Sequence, residues 1–153
     1  MFVCMGNICR SPTAEAIVAE KVKEANLSDR IECHSSGTIG FHVGQPADSR
    51  MRSFVSKRGY NITSLSQKIQ SSDLEEFDLL VTMDDENLRN VKQLAASKKQ
   101  EDKILPFCQF ASQHNDTEVP DPYYGGDQGF EHVIDLIEDG SVGLLNYIKK
   151  QLT

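Results

Sequence analysis

Cys4 and Arg10 stand with five residues between them, Met5-Gly6-Asn7-Ile8-Cys9, and Ser11-Pro12 follow at once. Phe2-Val3 reads as the end of a short apolar strand. Ser-Pro reads as a helix start, because proline needs no N–H in the first turn. A turn from strand to helix N-terminus aims several backbone N–H groups at one spot, and the helix dipole adds partial positive charge there. An anion is stabilised in such a cradle, and so is a thiolate at Cys4. Arg10 can fork onto two oxygens of an anion, as lysine cannot. Gly6 permits close backbone approach or a positive φ, and Asn7 tolerates the left-handed region. Ser11 can donate its hydroxyl to the thiolate or to a neighbouring loop group. Cys-x5-Arg spacing alone also fits a buried structural cysteine near a surface arginine; its place between strand and helix is what favours chemistry. The Gly-Lys-Ser/Thr ending of a nucleotide P-loop is absent.

A second candidate is Asp121, in Val119-Pro120-Asp121-Pro122-Tyr123-Tyr124. Two prolines stiffen that segment and favour a held carboxylate. Read on its own, an Asp-Pro turn is more often simply a turn. Tyr123 and Tyr124 fit either a core or the wall of a pocket.

The 153 residues fit one domain, 1–153, with a sizeable core, and 39% hydrophobic and 25% charged residues are ordinary for a globular chain. The net charge of −7 argues against general nucleic-acid or anionic-membrane binding, which favour a basic face. It leaves room for a phosphate held by a few amides and one arginine. With no membrane-length apolar run and no leader pattern, a cytoplasmic location is the expectation. Cys4, Cys9, Cys33 and Cys108 are too scattered for a disulfide framework, so free thiols are expected. Zinc is not expected, because no second close Cys or His pair completes four ligands.

Strand-like and helix-like stretches alternate, which reads as a parallel sheet covered by helices. Ala14, Ile17, Val18, Val22 and Ala25 share one face of a helix that runs from Ser11 to near Asn26. A second strand is expected over Ile31–Ser35, a loop over Gly40–Asp48, and a helix over Ser49–Arg58 that stops at Gly59. Phe77–Met83 reads as a buried strand, Asp84–Ala96 as a helix and Ile104–Phe107 as a fourth strand. Gln109–Gly129 is polar and turn-rich. A final helix carries Phe130, Val133, Ile134, Ile137, Leu144, Leu145 and Ile148 on one face, with a kink expected at Gly140 or Gly143.

The run from Phe2 to Ala16 resembles the signature of the low-molecular-weight protein tyrosine phosphatases. The similarity continues through Ser35-Ser36-Gly37-Thr38, Gly44-Gln45-Pro46-Ala47-Asp48, Phe77-Asp78 to Met83-Asp84, Asn87-Leu88 and Asp121-Pro122-Tyr123-Tyr124-Gly125. The resemblance implies an α/β fold with a four-stranded parallel sheet, helices on both faces, and the phosphate loop between the first strand and first helix. It also implies hydrolysis of phosphotyrosine or small aryl phosphates through a phosphocysteine, by a monomer with at most weak self-association and no cofactor or metal. Cys4, Arg10 and Asp121 would be catalytic, and Met5, Gly6, Asn7, Ile8, Cys9 and Ser11 would hold phosphate. Phe41, Tyr123 and Tyr124 would wall the pocket, and Cys9 could pair reversibly with Cys4. Tyrosine is a poor leaving group (pKa about 10), so the reaction gains from an acid at Asp121. Many relatives carry His and Arg where this chain reads Ser64-Leu65-Ser66-Gln67, and Ser64 is the expected substitute brace. Ile8 stands where relatives that act on phosphoarginine tend to carry threonine. An arsenate reductase would need resolving cysteines, for which Cys108 is a lone candidate. A non-hydrolytic phosphocysteine carrier or a phosphotyrosine-binding module would have no need of the Asp121 loop.

Overall fold

The computed structural model describes all residues, 1–153. Strands β1 (Phe2–Cys4), β2 (Ser35–Gly37), β3 (Leu80–Thr82) and β4 (Ile104–Pro106) pair in parallel in the order β2-β1-β3-β4. Phe2 lies opposite Ser35 on one side and Val81 on the other. Six helices connect and cover them: α1 (Arg10–Glu24), α2 (Ser49–Lys57), α3 (Asp73–Glu76), α4 (Asp85–Lys92), α5 (Lys98–Glu101) and α6 (Gly126–Gln151).

Alternation along the strands divides the core in two. Phe2, Cys4, Val81 and Met83 face α1, α2 and α6, against Ile17, Met51, Val55, Phe130 and Ile137. Met1, Val3, Leu80 and Ile104 face the other way, onto Leu74 of α3 and Val91 of α4. Helices therefore cover both faces, as the alternating pattern led us to expect. Arg58, just past α2, ties that helix to α6 through Glu131 (2.5 Å), Asp135 (2.7 Å) and Glu138 (2.5 Å).

Several elements depart from the sequence reading. The second strand is Ser35–Gly37 rather than Ile31–Ser35. Phe2 N–H bonds His34 C=O, so Ile31–Cys33 lie beyond the start of β1 and have no strand beside them. β3 is confined to Leu80–Thr82 for the same reason. α4 ends at Lys92, short of Ala96, and α3 and α5 are single turns with no periodicity to betray them. The glycines do not interrupt the last helix: α6 is continuous over 26 residues. Its glycines serve close approach instead. A Cβ on Gly140 would lie 2.3 Å from a Phe107 ring carbon, and one on Gly143 would lie 2.2 Å from the Phe110 carbonyl oxygen.

Candidate active site

Ligands of open parallel sheets bind beyond the carboxyl ends of strands where the chain order switches direction. Here that place is the end of β1, between β2 and β3, and the Cys4–Arg10 loop occupies it. Cys4 is almost fully buried at its base. Its sulfur lies 3.0 Å from Ser11 Oγ and accepts the Asn7 N–H at 3.3 Å. Asn7 turns the loop with φ +56°, the left-handed conformation that its side chain tolerates. The N–H groups of Met5, Gly6, Ile8 and Cys9 donate to nothing in the protein. Unpaired backbone donors are rare away from water, and these sit beside a helix start. Gly37 of β2 makes room, since a Cβ there would lie 2.6 Å from the Met5 carbonyl oxygen.

The loop is braced from behind by polar groups. Asn7 Nδ2 donates to Ser11 Oγ (2.8 Å) and to Ser35 Oγ (3.0 Å), while its Oδ1 accepts the Gln67 N–H (2.9 Å). Ser66 Oγ donates to Gly6 C=O at 3.1 Å, and Gln67 Nε2 to Ser35 C=O at 2.9 Å. Ser66 and Gln67 thus do the bracing expected of Ser64, which lies instead on the wall of a cavity behind α1. The backbone bridge between Gly37 and Lys68 sets this register and brings Gln67 rather than Ser64 under the loop.

Arg10 is 5% exposed, and its Nη1 donates to Asp84 Oδ2 (2.6 Å) and to Val119 C=O (3.0 Å). Nε and Nη2 have no protein partner, which leaves one edge of the fork for a ligand. Burial works against the guanidinium charge, but Cys4, Asp84 and Asp121 outweigh it and push its pKa up. Asp84 was not singled out from sequence as Arg10's partner. It also caps α4, accepting the Asn87 N–H at 2.8 Å, and the Asp-x-x-Asn pattern is the signal that marks it.

Asp121 is half-buried, and its Oδ1 accepts the Tyr123 N–H at 3.0 Å. Val119 C=O, bonded to Arg10 Nη1, brings the start of this segment up to the loop, and the charge of Asp121 acts on Arg10 and Cys9. Tyr123 packs edge-on against Phe130 and donates its hydroxyl to Asp48 Oδ2 at 2.5 Å. Burial first, and this bond next, push its phenol up. Asp48 N–H in turn holds Ile8 C=O at 2.8 Å. Tyr124 and Phe41 stand in solvent, 91% and 81% exposed, with Phe41 leaning on His42, whose ring lies over Gly6. Cys9 is buried, and burial pushes its thiol up to about 12.

The family model for low molecular weight phosphotyrosine protein phosphatases matches residues 1–153. The chain belongs to that family. A Synechocystis protein named for the same family is 43% identical, with 99% of this chain and 97% of the relative covered. The low molecular weight protein-tyrosine-phosphatase of Streptomyces coelicolor is 38% identical over 99% of this chain and 93% of its own. Among solved structures, an Entamoeba histolytica protein tyrosine phosphatase with Hepes in its active site superposes with a TM-score of 0.95 at 40% identity, covering 99% of this chain and 97% of that one. The four-stranded sheet and the loop at the end of β1 are thus the family scaffold.

Proposed function

We propose that the protein hydrolyses phosphotyrosine and small aryl phosphates through a phosphocysteine at Cys4, acting as a single 153-residue domain. One observation carries the reading. A buried sulfur, contacted by Ser11 Oγ and Asn7 N–H, lies at the base of a loop with four unpaired amides and a tethered arginine. The Cys4 thiolate attacks phosphorus in line, while the unpaired amides of the Met5–Arg10 loop and the free Nε/Nη2 edge of Arg10 hold the equatorial oxygens. Asp121 protonates the leaving phenol oxygen and then, as the carboxylate, accepts a proton from the water that attacks phosphocysteine. Ser11 donates to the released thiolate. Charge is supplied by Arg10 and the amides, so the mechanism requires no metal. Phe41 and Tyr123 flank the entry for a flat phenyl group, with Tyr124 at its outer rim.

The four free thiols suit a reducing, cytoplasmic compartment, and no helix is long and apolar enough to cross a membrane. Cys9 is the resolving thiol when Cys4 is oxidised. Its raised pKa leaves little thiolate near pH 7, so the disulfide forms slowly. We assign the protein as a monomer in turnover.

Hydrolysis of phosphotyrosine, phosphoserine and phosphoarginine peptides side by side, in EDTA, tests the reading. Phosphotyrosine is expected to dominate, and Cys4→Ser to lose turnover while still binding phosphate. Retained hydrolysis in Cys4→Ser removes Cys4 from the mechanism. An arginine phosphatase from Drosophila shares the scaffold at a TM-score of 0.88 and 29% identity, covering 97% of this chain and 96% of that one, so the fold alone does not choose the substrate. The bulk of Ile8 favours the tyrosyl ester, and Ile8→Thr is expected to move the ratio toward phosphoarginine.

A further inference from the structure

Eight large hydrophobic side chains stand exposed on this protein, and only Val142, on α6, lies away from the Cys4 loop. Single exposed apolar residues are ordinary, but a contiguous group beside a site marks an interaction surface. Four of the other seven already have a place: Met5 in the loop, Phe41 and Tyr123 at the entry, and Tyr124 at its rim. Ile39, Val43 and Leu65 have none, and they are 42%, 56% and 58% exposed. We infer that Ile39, Val43 and Leu65 form a docking surface for an apolar side chain flanking the phosphotyrosine of a protein substrate. The inference rests on phosphotyrosine being the group that Cys4 attacks.

Backbone bonds hold the three residues side by side and fix them to the phosphate loop. Ile39 N–H donates to Met5 C=O at 3.1 Å. Val43 N–H donates to Gly40 C=O at 3.3 Å, which turns the chain back on itself. Gly44 N–H donates to Ser66 C=O at 2.9 Å and Ser66 N–H to Gln45 C=O at 2.8 Å, so Leu65 is brought alongside. Ser66 Oγ in turn bonds Gly6 C=O. Gly40 keeps the middle of the surface low. A Cβ there would lie 3.4 Å from Lys68 Cδ and 3.6 Å from Val43 Cγ2, so Val43 and the aliphatic stem of Lys68 wall a shallow floor of backbone. The nearest polar side chains are occupied with each other, His42 Nδ1 lying 3.1 Å from Gln45 Oε1.

The surface adjoins the mouth, which decides what it can meet. A phosphotyrosine seated at Cys4 leaves its backbone outside, and each extended residue carries the chain about 3.3 Å further. Residues one to three positions from the phosphotyrosine therefore reach Ile39, Val43 and Leu65. A leucine, valine or phenylalanine there leaves water on burial. An acidic residue finds only Lys68, in solvent, where an ion pair adds little.

The test is a scan of phosphotyrosine peptides in a Gly/Ser background, with one Leu, Asp or Lys placed at each of the three positions on either side. Leu at one or more positions should raise kcat/KM by about five- to thirtyfold, the scale of partly burying one such side chain. The double variant Val43→Ser, Leu65→Ser should lose that gain and keep the parent rate on phenyl phosphate, which has no flanking residue. A flat Leu scan, a gain that persists in the double variant, or a larger gain from Asp overturns the proposal. An equal loss on phenyl phosphate overturns it too, because the two residues would then act on the site and not on the peptide. A flat scan with a dimer that the double variant abolishes assigns the surface to a second copy instead. The same scan read as binding to Cys4→Ser separates the two readings. A Leu gain in binding without hydrolysis by the parent keeps the docking surface and strikes the phosphatase mechanism, whereas hydrolysis indifferent to Leu does the reverse.

Discussion

Asp84→Asn isolates the tether of Arg10. Asp84 Oδ1 caps α4 by accepting the Asn87 N–H, and Oδ2 accepts from Arg10 Nη1 at 2.6 Å. Asparagine is as good an N-cap as aspartate, so the helix start survives. At the Oδ2 position, however, an NH₂ group would face another donor, and the pair is lost. The two side chains are 6% and 19% exposed, so water can replace only part of the interaction. Removing one partner of a buried pair costs about 3–5 kcal/mol at most. Arg10 keeps Val119 C=O, which brings the expected loss to about 2 kcal/mol, within the range for a hydrogen bond to a charged group. For a chain of this length that is a fall of roughly 4–8 °C in Tm. Saturating inorganic phosphate should shrink the loss, because the dianion gives the guanidinium a new partner. Phosphorylation of Cys4 should slow by about tenfold or more, since the fork is no longer held in register. Thermal unfolding with and without phosphate, paired with single-turnover kinetics, is the assay. A parent-like Tm, or a loss that phosphate leaves untouched, refutes the reasoning.

Four further outcomes are expected. Asp121→Ala should slow enzyme phosphorylation by phosphotyrosine on the order of 10²-fold while sparing an ester with an acidic leaving group; equal slowing of both in single-turnover experiments removes Asp121 as the acid. Burial holds the Cys9 thiol at about 12, whereas in the unfolded chain it titrates near 8.5, so unfolding releases protons in between and stability is full below about pH 8.5 and falls as pH rises toward 12. Cys33 and Cys108, each held at about 11, act in the same direction, and urea titrations should show a shallower alkaline slope in Cys9→Ala. Gly140→Ala should destabilise despite a helix-propensity gain of about 1 kcal/mol, because the methyl meets Phe107 and overpacking costs about 1–3 kcal/mol; a more stable variant in urea would contradict the close approach. After mild peroxide, a thiol reductant should restore activity in the parent but not in Cys9→Ser, with mass spectrometry reporting the Cys4–Cys9 disulfide.

Much of the site was legible because its chemistry is local. Cys4 through Ser11 is one turn and one helix start, and the residues that build it are neighbours in sequence. What stayed hidden depends on register between distant segments. Ile31–Cys33 look more like a strand than Ser35-Ser36-Gly37 by apolar content, yet the strand beside β1 must be thin to admit the Met5 carbonyl, and its hydroxyls are satisfied by Asn7, Glu15 and Met1. Ser66 and Gln67 displaced Ser64 because of a backbone bridge that no side-chain pattern announces. The glycines of α6 carried the right signal, an exception to helix composition, but sequence could not tell a kink from a notch for Phe107 and Phe110.

Position 7 illustrates how narrow the choice of residue becomes when backbone and side chain impose separate demands. A φ of +56° admits glycine, asparagine and aspartate with little strain and discourages the rest. The surroundings ask for two donors, toward Ser11 and Ser35, and one acceptor, toward Gln67. Glycine offers none of the three and aspartate only the acceptor. Glutamine carries the right atoms one methylene too far out, on a backbone it disfavours. Asparagine is the sole member common to both sets, differing from aspartate by a single amide that no surface property would reveal.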